Sequence, residues 1–180
     1  MHKEEVKLNL TEVEKKELEY SIYIETHRLL VRKVWHQISH KISDMFEKAL
    51  VEQVTERIYY HDLSKYSREE YSPYRRKFYP TSNDLLVPGE IEEDFDKAWR
   101  HHYHVNDHHW EYWIDDKGKP MDMYWSAIIE MIIDWQAFGL KCGDTAEEFY
   151  LANGDSFNMS DVTRKMLSKI LPLFREFNYH

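Results

Sequence analysis

The sequence has few of the residues that interrupt regular structure. Glycine and proline contribute five residues each to a chain of 180, which is under half of their usual combined share of roughly 12%. Internal repeats, low-complexity tracts and a convincing strand-like alternation of apolar and polar residues are also missing. These absences favour helices over strands as the regular structure.

Other absences narrow the class of protein and its location. The single cysteine, Cys142, cannot form an internal disulfide, which is typical of the reducing cytosol. No run approaches the ~18 uncharged apolar residues that a membrane helix needs, and the first residues contain no apolar signal-peptide stretch. We therefore expect a cytoplasmic protein without a membrane partner.

Positive charge is scarce as well. The formal net charge of −9 at pH 7 leaves no broad basic surface for a phosphate backbone, so a nucleic-acid polymer is not expected as a partner. A small phosphorylated ligand held by a metal remains compatible with this charge.

The chain does contain enough apolar material for one core. Hydrophobic residues make up 42% and aromatic residues 15% of the sequence, which excludes wholesale disorder. We predict one all-α domain over residues 1–180, with its core at about 11–153 and a C-terminal helix at 160–177. The other predicted helices cover roughly 11–47, 48–65, 92–102, 121–138 and 144–153. Expected boundary signals are capping boxes at Thr11/Glu14 and Ser67/Glu70, a cap at Ser160, a break between Gly139 and Gly143, and a kink at Pro172.

Histidine is the residue in excess. Five of the 11 histidines lie within residues 101–109. Such a cluster predicts either a solvated polar loop or a metal site, because imidazole is the commonest nitrogen ligand of metals. Composition leaves both alternatives open, so the helical phase of each candidate ligand has to decide between them.

The first predicted helix carries one histidine on its buried face. His27 lies three residues after Ile24 and four before Val31, which puts all three on one apolar stripe. His36 and His40 form an HxxxH pair without the glutamate of a zinc-protease helix. Both are about half a turn away from His27, so we expect them to point outward and to bind no metal.

Polar residues continue the apolar stripe of the second predicted helix. His61, Asp62 and Lys65 follow Ile58 on the same face. Burying three polar groups without partners costs several kcal/mol, so something must satisfy them. The alternatives are a buried ion pair between Asp62 and Lys65, or a metal held by His61 and Asp62 with Lys65 available for an anion.

Two later helices point further metal-competent residues at the core. Asp134 lies on the apolar stripe of the helix at 121–138, and Glu130, one turn earlier, is a second candidate. In the helix at 92–102, His102 faces inward and His101 does not. Each residue alone is compatible with a structural hydrogen bond, but one cation would satisfy them together.

Several motifs resemble known families. The segment His61-Asp62-Leu63-Ser64-Lys65 resembles the HD-domain signature, in which a His…HisAsp…Asp set binds divalent metal within a helical bundle. His27 and Asp134 stand at intervals from this segment similar to those of small HD nucleotidases. With Ala98-Trp99-Arg100-His101-His102, the stretch Asn106-Asp107-His108-His109-Trp110-Glu111-Tyr112-Trp113 and Glu130-Met131-Ile132-Ile133-Asp134-Trp135, the chain resembles an uncharacterised bacterial and phage-encoded family over about residues 20–150.

The HD resemblance implies an HD-type bundle around one divalent metal, which is Mn, Mg, Co, Ni, Fe or Zn. A second ion is an open alternative, because dinuclear HD proteins add histidines between the HD pair and the final aspartate. This chain has histidines in that part, although they are closer together than in those relatives. The implied metal ligands are His27, His61, Asp62, Asp134 and His102.

We therefore expect a metal-dependent phosphohydrolase that acts on a small nucleotide or a related phosphoester. Lys65 would neutralise charge on a phosphoryl oxygen, and His109 or His102 would protonate the leaving oxygen. His108 and Trp110 are the candidate substrate-binding residues. An HD-type di-iron oxygenase, a non-enzymatic metal-stabilised module that binds a protein, and a homodimer are open alternatives.

Overall fold

Seven α-helices and five short 3-10 helices form the regular structure of residues 9–175, which are the residues that the computed structural model describes. Within this range there is no β-strand, and the predicted all-α class is confirmed. None of the described helices is long and apolar enough to cross a membrane. The α-helices are α1 (Glu12–Ser43), α2 (Lys48–Tyr60), α3 (Tyr71–Phe78), α4 (Pro88–Val105), α5 (Trp125–Cys142), α6 (Ala146–Asn153) and α7 (Asp161–Ile170). The 3-10 helices are Leu63–Tyr66, Asp84–Leu86, Trp110–Trp113, Gly154–Ser156 and Leu171–Phe174.

Helix α5 lies at the centre of the bundle because it is apolar on nearly every face. It packs against α1, α2, α6 and α7, and its isoleucines, such as Ile129 and Ile132, are fully buried. Each such side chain contributes about 1.5–3 kcal/mol when it is removed from water. Leu167 of α7 and the following Phe174 belong to the same apolar core, so the C-terminal segment packs onto the bundle.

Buried apolar side chains form two clusters, and helix α1 contributes to both. Val31 of α1 belongs to the main core with residues of α2, α5 and α7. Ile24 belongs to a smaller cluster with Tyr74 of α3 and Ala98 of α4. His27 is also buried and lies between Ile24 and Val31 on α1. The predicted metal ligand of α1, His27, therefore lies at the junction of the two clusters.

The caps of the first and last α-helices agree with the sequence. The Thr11 side chain accepts the backbone N–H of Glu14, and the Glu14 carboxylate accepts that of Thr11, so the capping box is confirmed. Ser160 caps α7. Helix α1 ends at Ser43, four residues before the predicted end. Helix α7 ends at Ile170 and a 3-10 turn containing Pro172 follows, so the predicted helix at 160–177 was too long, and residues 176 and 177 lie outside the described range.

The region around the HD pair differs most from the prediction. Helix α2 ends at Tyr60 rather than Lys65, because Asp62 adopts a left-handed backbone with φ of 57°. The expected capping box of Ser67 and Glu70 is wrong, since the Ser67 hydroxyl is buried without a hydrogen bond. The Glu70 carboxylate instead accepts a hydrogen bond from Ser64.

Other helix limits shift without changing the bundle. Helix α4 begins at Pro88, because proline is well suited to the first helical position, and α5 begins at Trp125 rather than residue 121. The expected break between Gly139 and Gly143 falls only at the second glycine, which caps α5 with φ of 86°. Gly139 stays helical and has no room for a side chain, because a Cβ there would meet the backbone carbonyl of Asp144.

Candidate metal centre

Three buried side chains from different parts of the bundle meet at one point. The Nε2 atom of His27, on α1, lies 2.9 Å from Asp134 Oδ1, on α5, and 3.3 Å from His61 Nε2, just after α2. His61 Nε2 lies 3.5 Å from Asp134 Oδ1. Ligand atoms of all three residues lie within 4.8 Å of one another, which suits one metal ion. We call these residues the first ligand group.

A second set of candidate ligands lies directly beside the first. Asp62, His102 of α4, and His108 and His109 from the segment after α4 each offer a ligand atom within 4.8 Å of the others. Asp62 Oδ1 lies 3.4 Å from His102 Nε2 and 3.6 Å from His108 Nε2. We call these four residues the second ligand group.

Asp62 faces both ligand groups. Its Oδ2 atom lies 3.8 Å from His27 Nε2 and 3.7 Å from His61 Nε2, whereas Oδ1 points to the second group. The left-handed backbone of Asp62 is uncommon outside glycine, asparagine and aspartate, and it ends α2 where two consecutive side chains, His61 and Asp62, enter the site. A carboxylate in this position can bridge two metal ions.

The donor atoms fit a metal. Asp62 Oδ1, His108 Nε2 and His109 Nε2 are buried and make no hydrogen bond. Leaving buried polar atoms unsatisfied costs about 1–3 kcal/mol each, and a cation coordinated by all three would remove that cost. A mixture of imidazole and carboxylate ligands favours Mn, Fe, Co, Ni or Zn over the oxygen-preferring Ca and Mg.

Glu130 orients one imidazole of each group. Its Oε1 atom lies 2.8 Å from His61 Nδ1 and 3.3 Å from His108 Nδ1, and its Oε2 accepts a hydrogen bond from Arg57 Nε at 2.8 Å. A carboxylate on Nδ1 fixes the tautomer and leaves Nε2 free for a metal. His61, His108 and Glu130 also lie close enough together to hold an ion. Their contacts with one another and with Arg57 account for this closeness without a third metal.

Glu70 serves His102 in the same way, and the sequence interpretation missed this. The fully buried carboxylate lies 2.8 Å from His102 Nδ1 and 2.8 Å from His101 Nδ1, so His101 is half-buried against Glu70 rather than pointing away from the site. The only sign of this role in the sequence is that Glu70 lies close to His61 and Asp62. Its spacing from Ser67 favours a helix cap instead.

The electrostatics of the first group favour a cation. Burial alone would raise the pKa of Asp62, but the Lys65 ammonium and His61 hold it well below its usual range. The adjacent imidazoles of His27 and His61 likewise outweigh burial and lower the pKa of Asp134. Burial would lower the pKa of His61, but Asp62 and Asp134 raise it well above its usual value. Two ionised carboxylates at pH 7 thus attract positive charge into the buried site.

Lys65 lies close both to its expected ion-pair partner, Asp62, and to the candidate metal ligands. Its Nζ atom lies 3.4 Å from Asp62 Oδ2 and 3.5 Å from His102 Nε2, and 4.6 Å from the centre of the Tyr74 ring. The expected ion pair with Asp62 therefore exists, and it lies at the edge of the two ligand groups rather than in place of them.

The remaining sequence candidates lie as follows. His108, the expected substrate-binding residue, and His109, the expected proton donor, both lie among the candidate ligands of the second group. Trp110 stacks on Phe157 with ring centres 5.8 Å apart and lines a cavity beside the site. His36 and His40 are exposed on α1, as expected from their helical phase.

Comparison with known families places the chain in a family without a described activity. Residues 16–173 match DUF5662, a family of unknown function, and the chain belongs to this family. No curated protein and no solved structure matches the chain.

Proposed function

We propose that the protein is a metal-dependent phosphohydrolase that acts on a small phosphoester. The observation that carries the proposal is the buried ammonium of Lys65, which lies 3.4 Å from the aspartate that faces both ligand groups. Fixed positive charge beside a Lewis acid stabilises the charge that develops during phosphoester hydrolysis. When bound, a divalent metal would polarise a phosphoryl oxygen and lower the pKa of the attacking water.

Each set of residues in the site would have its own role in hydrolysis. The first ligand group would hold one ion, and the second ligand group, which includes Asp62, would hold a further one. Lys65 would stabilise the negative charge that develops on the phosphoryl oxygens. Burial and the neighbouring His108 keep the pKa of His109 well below its usual value, so its imidazole is neutral at pH 7. That state favours ligation by His109 over the proton donation expected from the sequence.

One feature favours a second candidate function, an HD-type di-iron oxygenase. The second ligand group supplies three imidazoles and one carboxylate, and imidazole suits iron better than it suits magnesium. Asp62 would then lie between two irons. We place the hydrolase first because the Lys65 ammonium beside Asp62 suits the negative charge of a phosphoryl group.

Metal content and turnover of the purified protein test the proposal. We expect bound transition metal by mass spectrometry, and release of phosphate from a panel of phosphomonoesters in the presence of Mn, Co, Ni, Fe, Zn or Mg. Lys65→Met should lower kcat about 100-fold, whereas Lys97→Met on the exposed face of α4 should not. Absence of phosphate release with every metal would reject the hydrolase, and oxygen uptake by a protein with two irons would favour the oxygenase.

A further inference from the structure

An aromatic cavity opens beside the second ligand group. Its volume is about 560 Å³, which is in the range that holds a small organic ligand. Asp62, Lys65 and His102 are among its lining residues, so a ligand in the cavity reaches the candidate metal centre. We call this cavity the aromatic pocket, and the aromatic side chains that matter here are Tyr74, Phe78, Tyr79, Phe95, Trp99 and Phe138.

The described lining of the aromatic pocket contains one cationic side chain, Lys65, whose ammonium also pairs with Asp62. Lys141 lies outside this lining, with its ammonium over the rings of Tyr23 and Phe138. Nearby arginines of α3 are engaged elsewhere, since Arg75 and Arg76 both bond the carboxylate of Asp84. A nucleoside triphosphate carries several negative charges, and sites for such ligands supply several cationic groups or backbone donors. The charges of this pocket suit one phosphoryl group.

Tyr74 contributes its ring to the aromatic pocket rather than its hydroxyl, which is buried and makes no hydrogen bond. The Lys65 ammonium lies 4.6 Å from the centre of that ring. This contact holds the ammonium against one wall of the pocket.

A second cavity lies on the other side of Trp99 and Phe138, and it is less suited to the charged end of a substrate. Its volume is about 390 Å³, and its lining includes Trp135 and Phe149 but no lysine or arginine. A phosphoryl group placed against Lys65 would therefore direct the rest of the molecule into the aromatic pocket.

We infer that the aromatic pocket binds a phosphate monoester whose alcohol part is flat and largely apolar, with its single phosphoryl group beside Lys65 and the second ligand group. The substrate class rests on the proposed hydrolase activity, whereas the binding of such a molecule does not. Planar rings stack favourably on the aromatic walls, and one phosphoryl group matches the Lys65 ammonium, the one lysine or arginine among the lining residues.

Equilibrium binding tests the inference without turnover. Isothermal titration calorimetry on the metal-loaded protein would compare 1-naphthylmethylphosphonate, which cannot be hydrolysed as an ester, with inorganic phosphate and adenosine triphosphate. We expect the naphthyl compound to bind at least about tenfold more tightly than inorganic phosphate, because its ring buries apolar surface. Equal or tighter binding of the triphosphate would overturn the inference.

Matched variants locate the binding site. Phe95→Leu, in the aromatic pocket, should weaken the naphthyl phosphonate about two- to tenfold and leave inorganic phosphate unchanged. Phe149→Leu, at a half-buried phenylalanine of the second cavity, should change neither. Phe78→Leu, at a pocket side chain that is 55% exposed, should likewise weaken the naphthyl phosphonate and leave inorganic phosphate unchanged. Weakening by Phe149→Leu instead, or by none of the three, would overturn the inference.

The same ligands separate failure of the pocket from failure of the hydrolase. If 1-naphthyl phosphate is not hydrolysed while the phosphonate still binds in the predicted pattern, the activity is wrong and the pocket is right. If phosphate esters are hydrolysed but the phosphonate shows no preference over inorganic phosphate, the pocket assignment is wrong and the hydrolase stands.

Discussion

Asp62 places one carboxylate oxygen toward each ligand group and also pairs with the buried Lys65 ammonium. Metal ligation therefore predicts that Asp62→Ala binds far less metal at both groups and loses turnover. If Asp62 only paired with Lys65, the same change would strand a buried ammonium at a cost of about 3–5 kcal/mol and leave the metal in place. Metal content by mass spectrometry separates these cases.

A double variant and two exposed histidines complete this experiment. Metal ligation predicts that Asp62→Leu with Lys65→Leu stays metal-poor and inactive whatever its stability, whereas an ion pair alone predicts that this double variant recovers much of the lost free energy of unfolding. His36→Ala and His40→Ala on the exposed face of α1 should retain full metal content. Full occupancy in Asp62→Ala would refute the site assignment, and loss of metal in either histidine variant would mean that other residues bind it.

Glu130 illustrates a carboxylate that acts through its neighbours. It contacts His61 and His108 on Nδ1 and is held by Arg57, so we expect Glu130→Gln to lower metal affinity about 10- to 100-fold by loosening both imidazoles. Competition with a fluorescent chelator measures that affinity. Glu56→Gln, at an exposed glutamate of α2, is the control, and equal affinity in the two variants would contradict a positioning role.

At the scale of elements, the corner between α3 and α4 depends on one ionised carboxylate. The Asp84 side chain accepts hydrogen bonds from the backbone and hydroxyl of Thr81 and from both Arg75 and Arg76. Burial opposes ionisation, but these donors lower the pKa of Asp84 strongly. A lowered pKa means that the contribution to stability is present above the unfolded-chain pKa of about 3.9 and is lost as the pH falls through the folded-state value.

Asp84→Asn should therefore lower the free energy of unfolding by about 2 kcal/mol at pH 7. The difference from the unchanged protein should shrink as the pH falls from about 4 towards the lowered folded-state pKa, because the unfolded chain takes up a proton at this carboxylate while the folded chain still holds it ionised. Urea unfolding at several pH values measures both effects. Asp96→Asn, at an exposed position of α4, should cost less than about 0.5 kcal/mol. A cost for Asp84→Asn that stays constant with pH would contradict the charge-based account.

Helical phase explains which parts of the site could be predicted from the sequence. His27, His102 and Asp134 lie inside regular helices, where a spacing of three or four residues determines the buried face, and each faces the site. The Asp62 side chain reaches the site because its left-handed backbone ends α2 just after Tyr60. The spacing of apolar residues does not predict the position of such a left-handed residue. Glu70 was assigned to a cap for the same reason, since its true partners come from α4.

At the scale of the whole molecule, the candidate metal centre joins the two apolar clusters. His27 lies between Ile24, in the smaller cluster, and Val31, in the main core. His102 comes from α4, which contributes Ala98 to the smaller cluster, whereas Asp134 comes from the central helix α5. An ion bound here would connect α1, α4 and α5 with the end of α2, although each cluster also has apolar contacts of its own.

Removal of metal should therefore lower the thermal stability of the protein and leave its helices folded at 20 °C. A ligand at 100 times its dissociation constant stabilises the folded state by about 2.7 kcal/mol, which for a chain of this size corresponds to a fall in Tm of about 5–10 °C on chelation. The far-UV circular dichroism of the chelated protein at 20 °C should stay mainly helical, because the main core does not depend on the site. His27→Ala should already melt at the lower temperature and respond little to chelator, whereas His36→Ala should respond like the unchanged protein. A Tm that is insensitive to chelation in metal-loaded protein would mean that the ion does not connect the two clusters, and loss of helical signal would mean that the main core needs it.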